Sequence, residues 1–191
     1  MVYSNKIKEA IHFASIAHKE QKRKVFNYPC ISHPLTVLFI VSNFTKDEDT
    51  LISAILHDVA EDTERNLDDI EKLFGKKVRD IVDILSEDMS VPKNEGQLKQ
   101  LERFKTANHK VLIIALADTI HNTCDIFTIL ENHKIENFSN LSYGTMKYKI
   151  EYAKQKLNII ENAWKENPLL PEAKLRIKEY KNLLYKLNLL D

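Results

Sequence analysis

Apolar residues recur at steps of three and four along almost the whole 191-residue chain, and that period commits it to amphipathic α-helices packed on one another. Ile7, Ala10, Ile11, Ala14 and Ala17 predict a first helix. Asn27 and Pro29 break the chain, and Pro34 suits the first turn of a second helix through Leu35, Leu38, Phe39 and Val41. The polar stretch Thr45 to Asp49 places acidic residues at the start of a third, whose buried stripe is Leu51, Ile52, Ile55 and Leu56. Asn66 is expected to cap a short helix through Ile70 and Leu73, with Gly75 at its end, and Val78, Ile81, Val82 and Leu85 mark the next. From Ser86 to Gly96 the period fails, and a mobile loop, with a lid as one reading, is expected there. Helices are predicted over 97–107 and 110–130, with 131–142 irregular. Two seams follow: Met146, Ile150, Ala153, Leu157, Ile160 and Trp164, then Leu170, Ala173, Ile177, Tyr180, Leu184 and Leu187, separated by Pro168 and Pro171. Packing within the chain is the first reading of these seams and a homodimer interface the second. With no internal repeat or linker, the expectation is an all-α, single-domain helical bundle spanning 1–191.

Composition narrows the function. Three glycines leave no GxGxxG or GxxxxGK[ST] loop to cradle phosphate. Twenty-eight basic residues balance twenty-eight acidic ones, so no global positive field favours DNA. Two cysteines, Cys30 and Cys124, are too few for a disulfide framework or a cysteine-rich zinc site. The first nine residues carry charges and no apolar core of a secretion signal. The apolar run Val111 to Ala117 falls far short of the ~20 residues that span a bilayer. A cytoplasmic protein without a membrane partner is expected.

Chemistry concentrates in three clusters: Pro29-Cys30-Ile31-Ser32-His33-Pro34, Leu56-His57-Asp58-Val59-Ala60-Glu61-Asp62-Thr63, and Leu116-Ala117-Asp118-Thr119-Ile120-His121-Asn122. His57 and Asp58 follow a buried run and are read as the C-terminal end of its helix, with Glu61 and Asp62 one turn on, along the same rim. Three acidic groups crowded there repel one another, and a cation would relieve them. Asp118 emerges from the apolar run Val111 to Ala117, where a carboxylate is costly unless hydrogen-bonded or metal-bound. Asn122, four residues on, shares its face. His33 sits between a turn and a helix start. A lone His-Asp pair is ordinarily a surface or capping pair, and Asp118 alone could pair with an arginine. Together, two imidazoles and two carboxylates make a mixed N/O set suited to Mn²⁺, Fe²⁺, Co²⁺ or Zn²⁺. His121 reads as a core histidine or one standing behind the ligands, and Cys30 as an incidental cysteine rather than a nucleophile.

In the order His33, His57-Asp58, Asp118 the chain resembles the HD superfamily of metal-dependent phosphohydrolases. More narrowly, Ala17 to Lys24, Ile31 to Pro34, Leu56 to Thr63 and Leu116 to Asn122 resemble the hydrolase domain of the RelA/SpoT alarmone enzymes, in the form of a stand-alone small alarmone hydrolase. The resemblance covers a core of about 7–145, with helices of 145–190 packing on it. It implies Mn²⁺ held by His33, His57, Asp58 and Asp118, and removal of pyrophosphate from the 3′ position of ppGpp or pppGpp. It implies that Glu61 and Asp62 act on the attacking water, that Asn122 contacts the nucleotide, and that Arg23 and Lys24 lie by the guanine and phosphates. Tyr143 and Lys147, after the irregular segment, are further candidates to close over the nucleotide.

Several positions depart from the family pattern. Cys30 stands where a tyrosine is usual, with Tyr28 two residues earlier. Ala115 replaces a lysine, Thr119 an arginine or lysine, and Glu20 a glycine. The ligand set is intact while anion-contacting positions have lost charge, so one alternative is a related substrate (NADPH, a nucleoside monophosphate or a 3′-pyrophosphorylated RNA); the two apolar seams after residue 145 motivate another, an antitoxin acting on a partner synthetase.

Overall fold

The buried stripes read from the sequence meet around α8 (His109–Asn132), a helix that carries the apolar run Val111 to Ala117. In this computed structural model, residues 4–23, 28–132 and 143–188 are described, with the side chains of 129–132 and 143–145 excepted. All regular elements among them are helices, and an isolated bridge joins Lys22 to Pro29. The helices before α8 are α1 (Asn5–Ala17), α2 (Ser32–Ser42), α3 (Glu48–Leu56), α4 (Val59–Asp62), α5 (Leu67–Phe74), α6 (Lys76–Leu85) and α7 (Lys93–Phe104). After it come α9 (Tyr143–Ala163) and α10 (Leu170–Lys186).

Local chemistry sets the boundaries. Ser4 caps α1, Asp47 caps α3, and Asn66 with Asp69 forms a capping box on α5. Gly75 separates α5 from α6 at φ 91, a conformation that suits a residue without Cβ. Phe74, rather than the exposed Leu73, completes the buried stripe of α5.

The main core joins α1, α2, α3, α5 and α6 to the first half of α8, with Ile52, Ile55, Leu56, Leu112, Ile114 and Leu116 almost fully enclosed. By length and composition α8 passes for a membrane-spanning helix, but the apolar run that lets it do so is the centre of this core. A second cluster, Ile126, Met146, Ile150, Ile177, Tyr180 and Leu184, binds the far half of α8 to α9 and α10. The two C-terminal seams therefore pack within the chain. Trp164 caps the first by stacking on His109 at 3.9 Å.

Two boundaries that bear on the site differ from the sequence reading. The segment expected to run loose to Gly96 ends at Pro92, because α7 starts at Lys93 and the N–H groups of Glu95 and Gly96 already bond the Pro92 carbonyl. What is left is pinned: the Glu87 N–H donates to Glu61, Gln97 donates to Glu87, and Arg103 donates to the carbonyls of Asp83 and Ser86. The other difference is at the site. α3 stops at Leu56, so His57 and Asp58 form the joint between two helices rather than the end of one. His57 Nδ1 takes the Ala54 carbonyl at 2.9 Å, the acceptor that the next ladder bond needs. The Asp62 N–H bonds the Asp58 carbonyl and starts the new turn.

Gly96 shows how closely this region is packed, since a Cβ there would meet the Asp88 carbonyl oxygen at 2.8 Å. Gly96→Ala is expected to destabilise the chain by about 1–3 kcal/mol through overpacking, despite alanine's better helix propensity. Thermal unfolding checks it: a fall of several degrees is expected, and an unchanged or raised midpoint would show that the 86–92 turn yields freely.

Candidate functional site

Three separate stretches of backbone bring the polar clusters to one cleft of about 1160 Å³. His33 enters from the first turn of α2, His57 and Asp58 from the α3–α4 joint, and Asp118 from the middle of α8. One ligand atom each from His33, His57 and Asp58 lies within 4.8 Å of the others. Asp58 spans the two imidazoles, with Oδ1 3.0 Å from His57 Nε2 and Oδ2 3.3 Å from His33 Nε2. Asp118 Oδ1 lies 3.2 Å from His33 Nε2 and 3.9 Å from His57 Nε2. The two Nε2 atoms are 3.2 Å apart. Donors bound at ~2.1 Å to one ion stand roughly 3.0–3.4 Å from each other, so the donor atoms already have the spacing of a coordination shell.

The tautomers fit the same use. His57 Nδ1 donates to the Ala54 carbonyl, which aims Nε2 at the cluster. His33 Nδ1 lies 2.8 Å from Nδ1 of His121. Burial and then the charge of His33 depress His121 to about 4, so it is a neutral acceptor for the His33 N–H. His121 thus stands behind a ligand candidate, the second of the two sequence readings.

Electrostatics follow from burial. Desolvation opposes the His33 imidazolium, but hydrogen bonds to Asp118 and Asp58 outweigh it and raise its pKa to about 9. Burial would raise Asp58, yet the charge of His57 and the His33 hydrogen bond hold it at about 2. Asp118, partly buried, is held well below the ordinary carboxylate range by Lys156 and the two imidazoles against the desolvation that would raise it. Glu61 goes the other way: burial, opposed by the Glu87 N–H and reinforced by Asp58, pushes it to about 7.

The remaining predicted residues divide. Glu61, Asp62, Arg23 and Asn122 line the cleft. Arg23 is clamped, with Nη2 2.6 Å from Asp125 Oδ2 and 2.9 Å from Asn122 Oδ1, and Asn122 Nδ2 donates to Asp118 Oδ1 at 2.5 Å. Lys147 is exposed and absent from the cleft wall; the helical phase turns Tyr148, Lys149, Tyr152 and Lys156 of α9 toward the cleft and carries 147 away. Lys24 and the side chain of Tyr143 lie outside the described residues. Cys30 lines the cleft, but burial pushes its thiol up, away from the reactive thiolate.

Two groups escaped the sequence reading. Asp125 holds Arg23 and approaches Tyr28 Oη at 3.5 Å; its place one turn beyond His121 was the available signal. Lys156 is buried with Nζ 3.4 Å from Asp118 Oδ2, and its signal was a lysine set between Ala153, Leu157 and Ile160 on an apolar seam.

Residues 10–138 match the family model described as HD domain. Over 123 residues the chain is 38% identical to the guanosine-3′,5′-bis(diphosphate) 3′-pyrophosphohydrolase MESH1 of Xenopus tropicalis, an alignment covering 63% of this chain and 69% of that protein. It is 34% identical over 123 residues to the bifunctional (p)ppGpp synthase/hydrolase SpoT of Escherichia coli, covering 61% of this chain and 17% of SpoT. A solved structure described as a metazoan ortholog of SpoT that hydrolyses ppGpp matches 100% of this chain and 99% of its own, with 27% identity and a TM-score of 0.79.

The His33 proton gives the site a signature. Its folded pKa of about 9 exceeds the ordinary 6.5, so its contribution to stability is complete below pH 6.5 and is lost as pH rises through 9. An ion needs the lone pair that this proton occupies, so ion affinity runs the other way. Between those pH values the chelator-treated chain is expected to lose thermal stability while Mn²⁺ or Co²⁺ binding tightens by up to roughly tenfold per pH unit. Calorimetric titration in two buffers should register about one proton released per ion at pH 8, and a flat response in both quantities would contradict the assignment.

Proposed function

Because the chain belongs to the HD domain family, we propose that it hydrolyses the 3′-pyrophosphate of ppGpp and pppGpp, releasing pyrophosphate and leaving GDP or GTP, with Mn²⁺ as its cofactor. The observation that carries this reading is the convergence of His33, His57 and Asp58, with Asp118 against both imidazoles. The activities named for the MESH1 and SpoT relatives support the substrate. The likeness over the whole chain supports treating 1–191 as one unit, with the core of 7–145 completed by α9 and α10.

In this reading His33, His57, Asp58 and Asp118 hold the ion. When bound, the ion supplies Lewis acidity, making a water more acidic and stabilising charge on phosphoryl oxygens. Glu61 uses one carboxylate oxygen on the Glu87 N–H and has the other for the proton of the attacking water. Its elevated pKa suits a base at neutral pH, and Asp62, also on the cleft wall, serves beside it. The water oxygen bonds to the 3′-linked phosphorus as Glu61 takes its proton, the bond to the ribose 3′-oxygen breaks, and that oxygen leaves with the proton that Glu61 gives back. Arg23, held flat by Asp125 and Asn122, offers a guanidinium plane to the base or the phosphates. Asn122, Lys24 and Tyr143 complete the proposed nucleotide contacts, with Lys149 rather than Lys147 facing the cleft.

One observation favours keeping related nucleotides in the assay: the cleft face of α8 carries the uncharged Ala115 and Thr119. The purified chain with Mn²⁺ is expected to convert ppGpp to GDP and pyrophosphate, read by ion-exchange chromatography. Chelation or Asp58→Ala should abolish turnover, and Glu61→Gln should lower kcat by roughly 10²–10⁴-fold. Inertness toward ppGpp with release of phosphate from NADPH or a nucleoside monophosphate would transfer the site to that substrate. Inertness toward all of them would refute a hydrolase.

A further inference from the structure

α9 brings a lysine into the cleft from the apolar seam that holds it against the bundle. Lys156 is 7% exposed and lines the cleft with Tyr152 and Phe104, whose ring centroids lie 5.0 and 5.8 Å from its Nζ. Its hydrogen-bond partner among the described residues is Asp118 Oδ2, at 3.4 Å. Charge-assisted N–H···O bonds settle near 2.7–2.9 Å, so this ammonium leans toward the carboxylate without docking on it. An ammonium carries three N–H donors, and the two aromatic faces accept none of them as a strong hydrogen bond. A desolvated cation with donors to spare costs stability unless an anion completes its shell.

The neighbouring donors already carry contacts within the protein. Arg23 is clamped by Asp125 and Asn122, and the Asn122 amide donates to Asp118. The Thr119 and Thr123 hydroxyls donate to carbonyls of their own helix, those of Ala115 and Thr119. Ala115 offers nothing polar. Asp118 Oδ1 is turned toward the imidazoles and Oδ2 toward Lys156, so the lysine stands beside the proposed ion site on its α9 side.

We propose that Lys156 is a phosphate-binding residue of this cleft, anchoring the pyrophosphoryl part of the substrate through the donors that Asp118 leaves unused. The proposal rests on the reading of the substrate as a nucleotide that carries a pyrophosphate. Lys156 makes and breaks no covalent bond; it neutralises anionic charge beside the ion and fixes where the phosphoryl oxygens lie. The tyrosine and phenylalanine rings hold its stem in place, so little side-chain freedom is lost on binding.

The test uses the full chain and pyrophosphate as its metal complex, with metal in saturating excess. Lys156→Met and Lys156→Gln are expected to weaken pyrophosphate binding, measured by calorimetry, by roughly 10- to 100-fold, and to raise KM for ppGpp more than they lower kcat. Lys156→Arg, which keeps the charge, should recover most of the affinity. If the lysine served only to orient Asp118, both neutral variants would lose metal affinity and regain wild-type pyrophosphate binding once metal saturates; that result would overturn the proposal. Unchanged pyrophosphate affinity in either folded variant would do the same. Binding and turnover separate the two readings: a wild-type chain inert toward ppGpp that still loses pyrophosphate binding in the variants refutes the substrate and keeps the anchor.

Discussion

A carboxylate at the end of the wholly buried run of α8 is the constraint from which the rest of this site follows. Asp118 leaves the apolar run of α8 one residue after Ala117, in surroundings where an uncompensated charge would cost several kcal/mol. Its ionised form persists because His33, Asn122 and Lys156 reach it from α2, α8 and α9. Each of those partners is fixed in turn: His33 by His121, Asn122 by Arg23, and Lys156 by its aromatic neighbours. One partly buried charge thereby ties several helices to a common point, and that point is where the proposed ion would be held.

The α3–α4 joint supplies the other half of the cluster. A continuous helix would splay adjacent side chains by about 100° and send His57 and Asp58 to different faces. Ending the ladder at Leu56 lets His57 face inward with its Nδ1 occupied, while Asp58 turns to bridge both imidazoles. The short α4 then restarts the chain so that Glu61 reaches the Glu87 N–H. That contact couples the proposed base to the 86–92 turn, and Gln97 and Tyr148 extend the hydrogen-bond chain to α7 and α9.

Much of this was legible in the residues. The 3.6-residue period located the helices because each buries one stripe, and caps such as Asn66 marked their starts. The polar residues that interrupt apolar runs, His57-Asp58 and Asp118, were visible because their burial needs a partner. Harder to read was anything that depends on tertiary phase. Nothing local told that His57 would take its own helix's carbonyl and break it, nor that Gly96 would lie against Asp88 inside a helix rather than in a loop. Lys147 and Lys156 are both lysines on α9, and only the docking of that helix against α7 and α8 turns one to solvent and the other to the cleft.

That docking changes what the C-terminal helices are for. An apolar seam alone reads as padding, and the cluster of Met146, Ile150, Ile177, Tyr180 and Leu184 does provide it. The same seam also carries Tyr148, Tyr152 and Lys156 to the cleft, and Tyr152 Oη bonds Gln100 at 2.5 Å, fixing α9 to α7. In the proposed reading, two carboxylates and two imidazoles on α2, α3–α4 and α8 hold a divalent cation whose charge the two carboxylates already balance. An anionic substrate approaching such a site gains from a cation that has N–H donors to spare. α8 offers Ala115 and Thr119 there, and packing α9 on α8 puts the Lys156 ammonium within reach of Asp118, in a cleft that the clamped Arg23 also lines.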